Sequence, residues 1–104
     1  MPDDSERRRV GRASFVTDVE VAGLAVVRST DLSRGGIYLE ALTPFAEGTR
    51  LDLRFKLEPT DKQPIDVHCL VLYAHESVGM GLAFEDLTPE TAERIDEFIA
   101  ARDE

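Results

Sequence analysis

A single cysteine, Cys69, in 104 residues allows no intrachain disulfide, so the fold must hold by packing and hydrogen bonding alone. No apolar run approaches the roughly 18 residues needed to cross a bilayer, and no membrane insertion is expected. The opening residues, Met1-Pro2-Asp3-Asp4-Ser5-Glu6, are acidic and lack the apolar centre of a secretory signal. These absences together lead to the expectation of a cytoplasmic protein. Cations are in the minority, 12 Lys and Arg against 21 Asp and Glu, for a formal charge of −9. General nucleic-acid binding rests on broad phosphate neutralisation, so it is not expected here.

Catalytic and metal-binding equipment is equally sparse. His68 and His75 fall on opposite faces of a regular strand, which separates them from any shared metal. No Cys or His cluster has metal-ligand spacing. Cys69 stands in the apolar register of its strand and reads as a buried, inert thiol. Ser33 has Asp31 close by but no histidine in a triad arrangement. The reading is a protein without catalytic residues, metal or cofactor. A chain of this length makes one domain with a single modest core, and it shows no internal repeat, low-complexity tract or interdomain linker.

What the chain does carry is concentrated in Asp31-Leu32-Ser33-Arg34-Gly35-Gly36, followed by Ile37-Tyr38-Leu39-Glu40. The first six residues hold an acceptor, a hydroxyl and two glycines, and the next four alternate as a strand does. The segment reads as a turn between two strands with its polar groups displayed at one end. Taken alone it is equally a β-turn with Asp31 as acceptor and glycine supplying positive φ. Upstream stands Arg8-Arg9-Val10-Gly11-Arg12, with Arg7 before it. Residues 7–12 hold four arginines, whereas residues 85–104 hold eight acids and two arginines. A compact basic cluster on an acidic protein suits a small anion better than a long polyanion. The plainer alternative is a solvated terminal arm.

Taken together, Arg8-x-x-x-Arg12 and Asp31-x-Ser33-x-x-Gly36 resemble the PilZ domain, the bacterial receptor module for cyclic di-GMP. Val78-Gly79-Met80-Gly81-Leu82-Ala83-Phe84 resembles the late glycine-containing strand of that family, so the likeness runs from about residue 6 to 100. It implies cyclic di-GMP as ligand and Arg8, Arg12, Asp31, Ser33 and Gly36 as its contacts. Arg7, Arg9 and Gly35 stand beside these positions as further candidates. Arginine suits both phosphate and guanine: its planar fork donates in pairs to phosphate oxygens and to guanine O6 and N7, and it stacks on the base. Asp31 offers acceptors for the guanine N1 and N2 donors, Ser33 can donate or accept, and Gly36 leaves room and a backbone N–H. Arg34 is not a family position and reads as a solubilising residue, with ligand contact as the alternative.

The rest of the chain patterns as strand. Phe15, Thr17, Val19 and Val21 alternate with Ser14, Val16, Asp18 and Glu20, Ala22-Gly23 turns, and Leu24 to Thr30 leads into the Asp31 segment. Leu51, Leu53, Phe55 and Leu57 alternate cleanly. Ile65, Val67, Cys69, Val71 and Tyr73 share a face, while Leu70 and Leu72 opposite them mean either two-sided burial or a bulge. Thr88 fits an N-cap, Pro89 the first helical position, and Ala92, Ile95, Phe98 and Ile99 one apolar stripe. Six short strands suggest an antiparallel barrel or sandwich. The resemblance selects a mostly β fold, a six-stranded antiparallel barrel with a C-terminal α-helix packed on it. Residues 1–6 are expected to be disordered, 7–12 to form an arginine arm, 13–85 the barrel and 88–102 the helix.

Ordering five free residues, Arg8 to Arg12, costs about 5–10 kcal/mol of backbone entropy. Each charge-assisted hydrogen bond returns roughly 1.5–3 kcal/mol. Ligand binding and arm ordering are therefore expected to be one event. With no output domain in the sequence, such a receptor signals in trans to a downstream protein, as a monomer or weak homo-oligomer. The alternative is an adaptor that keeps the fold and does not bind the nucleotide.

Overall fold

Alternation of apolar and polar residues settles which face each strand turns inward. In a computed structural model, which describes residues 12–102, the elements are β1 (Arg12–Ser14), β2 (Asp18–Val21), β3 (Ala25–Ser33), β4 (Gly36–Glu40), β5 (Arg50–Phe55), β6 (Ile65–His75), β7 (Gly79–Glu85) and α1 (Pro89–Arg102). Strands β2, β3, β4, β7, β6 and β5 pair antiparallel in a ring closed by the β3–β4 pairing, and β1 adds to the outer half of β3. The six-stranded barrel with one C-terminal helix is thus the fold observed. Its interior is built from the alternate residues Val19 and Val21, Leu51, Leu53 and Phe55, and Ile65, Val67, Cys69 and Val71, all buried.

The tight β2–β3 hairpin has Ala22 and Gly23 at φ 51° and 68°, the left-handed region whose twist matches that of the flanking strands. Thr88 caps α1, accepting the Thr91 N–H at 3.1 Å. The helix lies along β1 and β3 and buries Ile95, Phe98 and Ile99. Phe98 meets Phe15 edge-on at 5.2 Å between ring centroids, and Phe15 meets Phe55 at 5.7 Å.

Two expectations of regularity fail, each for a definable reason. The stretch from Ala13 to Val21 is not one strand. From Ser14 to Asp18 the chain advances four residues while β3 opposite advances three, from Asp31 to Arg28. The extra residue is absorbed at Phe15–Thr17, with Val16 turned to solvent. Ser29, the buried polar residue of the core region, fills the break: its Oγ donates to the Phe15 carbonyl at 2.6 Å and accepts the Thr17 N–H at 3.1 Å. In β6 the register shifts between Val71 and Tyr73, so the bulge reading for Leu72 is the one observed. Past it the alternation reverses. Tyr73, expected on the inner face, lies outside, and His75 comes to the same outer surface as His68 instead of the opposite one. The two histidines still serve separate neighbours: His68 Nδ1 is 2.6 Å from Asp52 Oδ1, and His75 Nδ1 is 3.3 Å from the Tyr38 hydroxyl.

Ser29→Ala leaves the Phe15 carbonyl and Thr17 amide without their partner and should cost about 1–3 kcal/mol in urea denaturation, with an unchanged m-value. The hydrogen bond to Asp52, followed by its charge, raises the His68 pKa above 6.5. This contribution to stability is fully present below the unfolded pKa and is lost as pH rises through the folded one. NMR titration should place the His68 midpoint above that of a free imidazole, and Asp52→Asn should bring it back.

Candidate functional site

The Asp31 segment is less a turn than a strand. β3 runs through Ser33, and only Arg34 and Gly35 separate it from β4. Strand geometry places Asp31 and Ser33 on one face, with buried Leu32 between them pointing inward. The register carries that outer face across the barrel in one line: Ser14 opposite Asp31, Asp31 opposite Tyr38, Tyr38 opposite Gly81, and Gly81 opposite Tyr73.

Along this line lies a cleft of about 230 Å³ that Asp31, Ser33, Gly35 and Gly36 line together with Tyr38, Leu72, Tyr73 and Gly81. Four of the residues singled out from sequence thus share one depression. Arg12 joins them through its backbone, paired with Ser33. Arg7, Arg8 and Arg9 lie outside the described residues, whereas Arg12, expected as the last residue of the arm, is the first of β1. The cleft is smaller than the pockets that enclose a whole drug-sized ligand, about 300–1,000 Å³, and so has room for part of a dinucleotide.

Three details of the motif differ from expectation. Neither glycine sits at positive φ. Gly36 is required by packing, because a Cβ there would strike the carbonyl oxygen of Leu82. Its N–H is not free but donates to Ser33 Oγ at 3.2 Å, while that hydroxyl lies 3.3 Å from the Gly36 carbonyl. Arg34 is more than a solubilising residue: its Nε donates to Asp96 Oδ1 at 2.7 Å and its Nη2 to Oδ2 at 3.3 Å, tying the turn to α1. This pairing lowers the pKa of Asp96 and raises that of Arg34.

Tyr38 and Tyr73 are cleft residues that sequence reasoning missed. Their rings, 6.2 Å apart between centroids, lie over Gly79 and Gly81 respectively, where a Cβ would meet them. The phenol of Tyr38 is pushed up in pKa, first by burial and then by the charges of Tyr73 and Asp31. The available signal for Tyr73 was the pair Leu70 and Leu72, apolar out of register and so a sign of the bulge.

A wider groove of about 620 Å³ runs between the β1–β2 break, the loop after β5 and the end of α1. It contains none of the listed motif residues, and its Arg54 and Arg102 already pair with Asp66 and Glu58. Among the described residues no group of three His, Cys, Asp or Glu could hold a metal ion. Burial pushes the Cys69 thiol up to about 12, leaving it protonated at neutral pH.

Gly36 and Gly81 should respond differently to alanine. At Gly36 the obstacle is backbone, so Gly36→Ala should lose roughly 2 kcal/mol or more in chemical denaturation. At Gly81 the obstacle is the end of the Tyr73 ring, which can swing away. Gly81→Ala should remain folded and change the near-ultraviolet circular dichroism of the tyrosines.

Comparison with known proteins agrees with this architecture. The sequence matches the PilZ domain over residues 5–101. The structure of the Bacillus subtilis inhibitor of motility, MotI/DgrA, is similar with a TM-score of 0.76 at 22% identity, covering 98% of this chain and 56% of that one. The chain therefore spans a little over half the length of that protein. The PilZ domain of CeSA from a cellulose-synthesizing bacterium is similar with a TM-score of 0.60 at 18% identity, covering 86% of this chain and 95% of that one. A search of curated sequences returned no match. With the family matched over nearly its whole length, the chain belongs to the PilZ domain family, a family of cyclic di-GMP receptors.

Proposed function

We propose that this protein is a cyclic di-GMP receptor and adaptor that acts on a partner protein in trans. The observation that carries the reading is the convergence of Asp31, Ser33, Gly35 and Gly36 on one aromatic-walled cleft, with Arg12 opposite Ser33 in the β1–β3 register. Asp31 would accept from the Watson–Crick edge of a guanine, and Ser33, oriented by its bond to Gly36, would meet the base or the ribose-phosphate. Tyr73 and Tyr38 offer ring surface for a base to stack against, a contact of about 1–3 kcal/mol. Arg8 and Arg12 would take the phosphates and the guanine Hoogsteen edge, with Arg7 and Arg9 in support.

The cleft accommodates only part of such a ligand, so the remainder would be covered from the arginine side. Binding and ordering of residues 7–11, next to Arg12 already held in β1, then form a single step, and the ordered segment becomes the surface a partner reads. MotI/DgrA, an inhibitor of motility by name, lends support to a role exerted on another protein; the partner here is a separate question.

Calorimetric titration with cyclic di-GMP, with GTP and cyclic AMP as controls, tests the reading. Selective binding is expected, with Arg12→Ala and Asp31→Ala each weakening it by roughly tenfold or more. Amide exchange of residues 7–11 should slow on ligand addition. A folded parent that takes up no cyclic di-GMP would sink this reading and favour the adaptor that uses the barrel as an interaction surface alone.

A further inference from the structure

Arg34 stands in the chain between Ser33 and Gly35, both of which line the cleft, yet its side chain is turned away to α1. There it grips Asp96 with two donors, Nε at 2.7 Å and Nη2 at 3.3 Å. This two-pronged geometry is the one a guanidinium uses equally for carboxylate and phosphate. The pair is open to water, with side-chain exposure of 71% for Arg34 and 40% for Asp96. Exposed pairs of this kind are weakly held, so a competing anion can take over one partner.

The backbone beneath is fixed, because the Gly35 carbonyl accepts the Phe84 N–H at 2.8 Å. Rotation of the side chain alone would therefore redirect the guanidinium. The space beside the turn is uncrowded: a Cβ at Gly35 would meet nothing within 4 Å. Four other arginines are engaged elsewhere. Arg50, Arg54, Arg94 and Arg102 pair with Glu85, Asp66, Asp61 and Glu58, and none of these arginines lines the cleft.

We propose that Arg34 is a further phosphate-binding residue of the cleft, held in reserve by Asp96, and that ligand binding transfers its guanidinium from that carboxylate to a ligand phosphate. The proposal rests on the cyclic di-GMP reading above. Arg34 stays protonated throughout, and the Asp96 carboxylate is rehydrated where it stands. The exchange unties the motif's turn from α1, while the apolar seat of the helix on Phe15 remains.

Calorimetry with cyclic di-GMP on the parent, Asp96→Asn, Arg34→Gln and the double variant tests it. Asp96→Asn removes the competitor and should tighten binding about two- to fivefold, the range that release from an exposed ion pair allows. Arg34→Gln should weaken binding roughly tenfold, and the double variant should match Arg34→Gln with no gain from the asparagine. In the parent, the Arg34 Nε–H resonance should shift on ligand addition. If both single variants move affinity in the same direction, or if Asp96→Asn leaves it unchanged, the pair is a structural tie only and the proposal is overturned. That result differs from a parent that binds no ligand, which overturns the underlying reading and this proposal with it.

Discussion

Strand β3 carries the arrangement, and it does so through the buried hydroxyl of Ser29. One edge of β3 pairs first with β2 and then with β1, although the two are out of register with each other by one residue. A step of this kind leaves backbone groups without ladder partners, and burying them unpaired is costly. Ser29 Oγ supplies both missing partners. With the step resolved, β1 runs beside Asp31 and Ser33, Arg12 pairs with Ser33, and Phe15 reaches Phe98 inside the fold. The cleft and the seat of the helix thus follow from the same local repair.

On a chain of formal charge −9, anion binding has to be a local matter. Several surface arginines are already matched to acids. Arg54 and Asp66 face each other directly in the β5–β6 register, as do Asp52 and His68. Exposed pairs of this sort add little to stability. Their effect is to offset positive charge on the outer wall of the barrel.

The barrel and the gathering of motif residues were legible because they depend on local rules. Alternation in Leu51–Phe55 and Ile65–Val71, the Thr88 cap and the Ile95–Ile99 stripe each report burial directly. What escaped were the places where two strands disagree in length. A bulge is decided by the strand opposite, and neither Val16 nor Leu72 announces which partner it faces. The bulge at Leu72, left open against two-sided burial in the sequence, sends Tyr73 and His75 to the other face, which is why the aromatic wall of the cleft was not anticipated. The packing demand at Gly36, set by the nearby Leu82 carbonyl, was not legible in the sequence, because it is made by a strand distant in the chain. The Arg34–Asp96 contact joins positions 62 apart in the chain, beyond the reach of pattern reading.

The placement of Tyr38 and Tyr73 has an optical consequence. The chain contains two tyrosines and no tryptophan, and both tyrosines wall the cleft. The tyrosine emission of this chain therefore arises from a single spot on the barrel, with no indole to swamp it. The molecule carries a built-in optical probe whose signal describes that one patch of its surface.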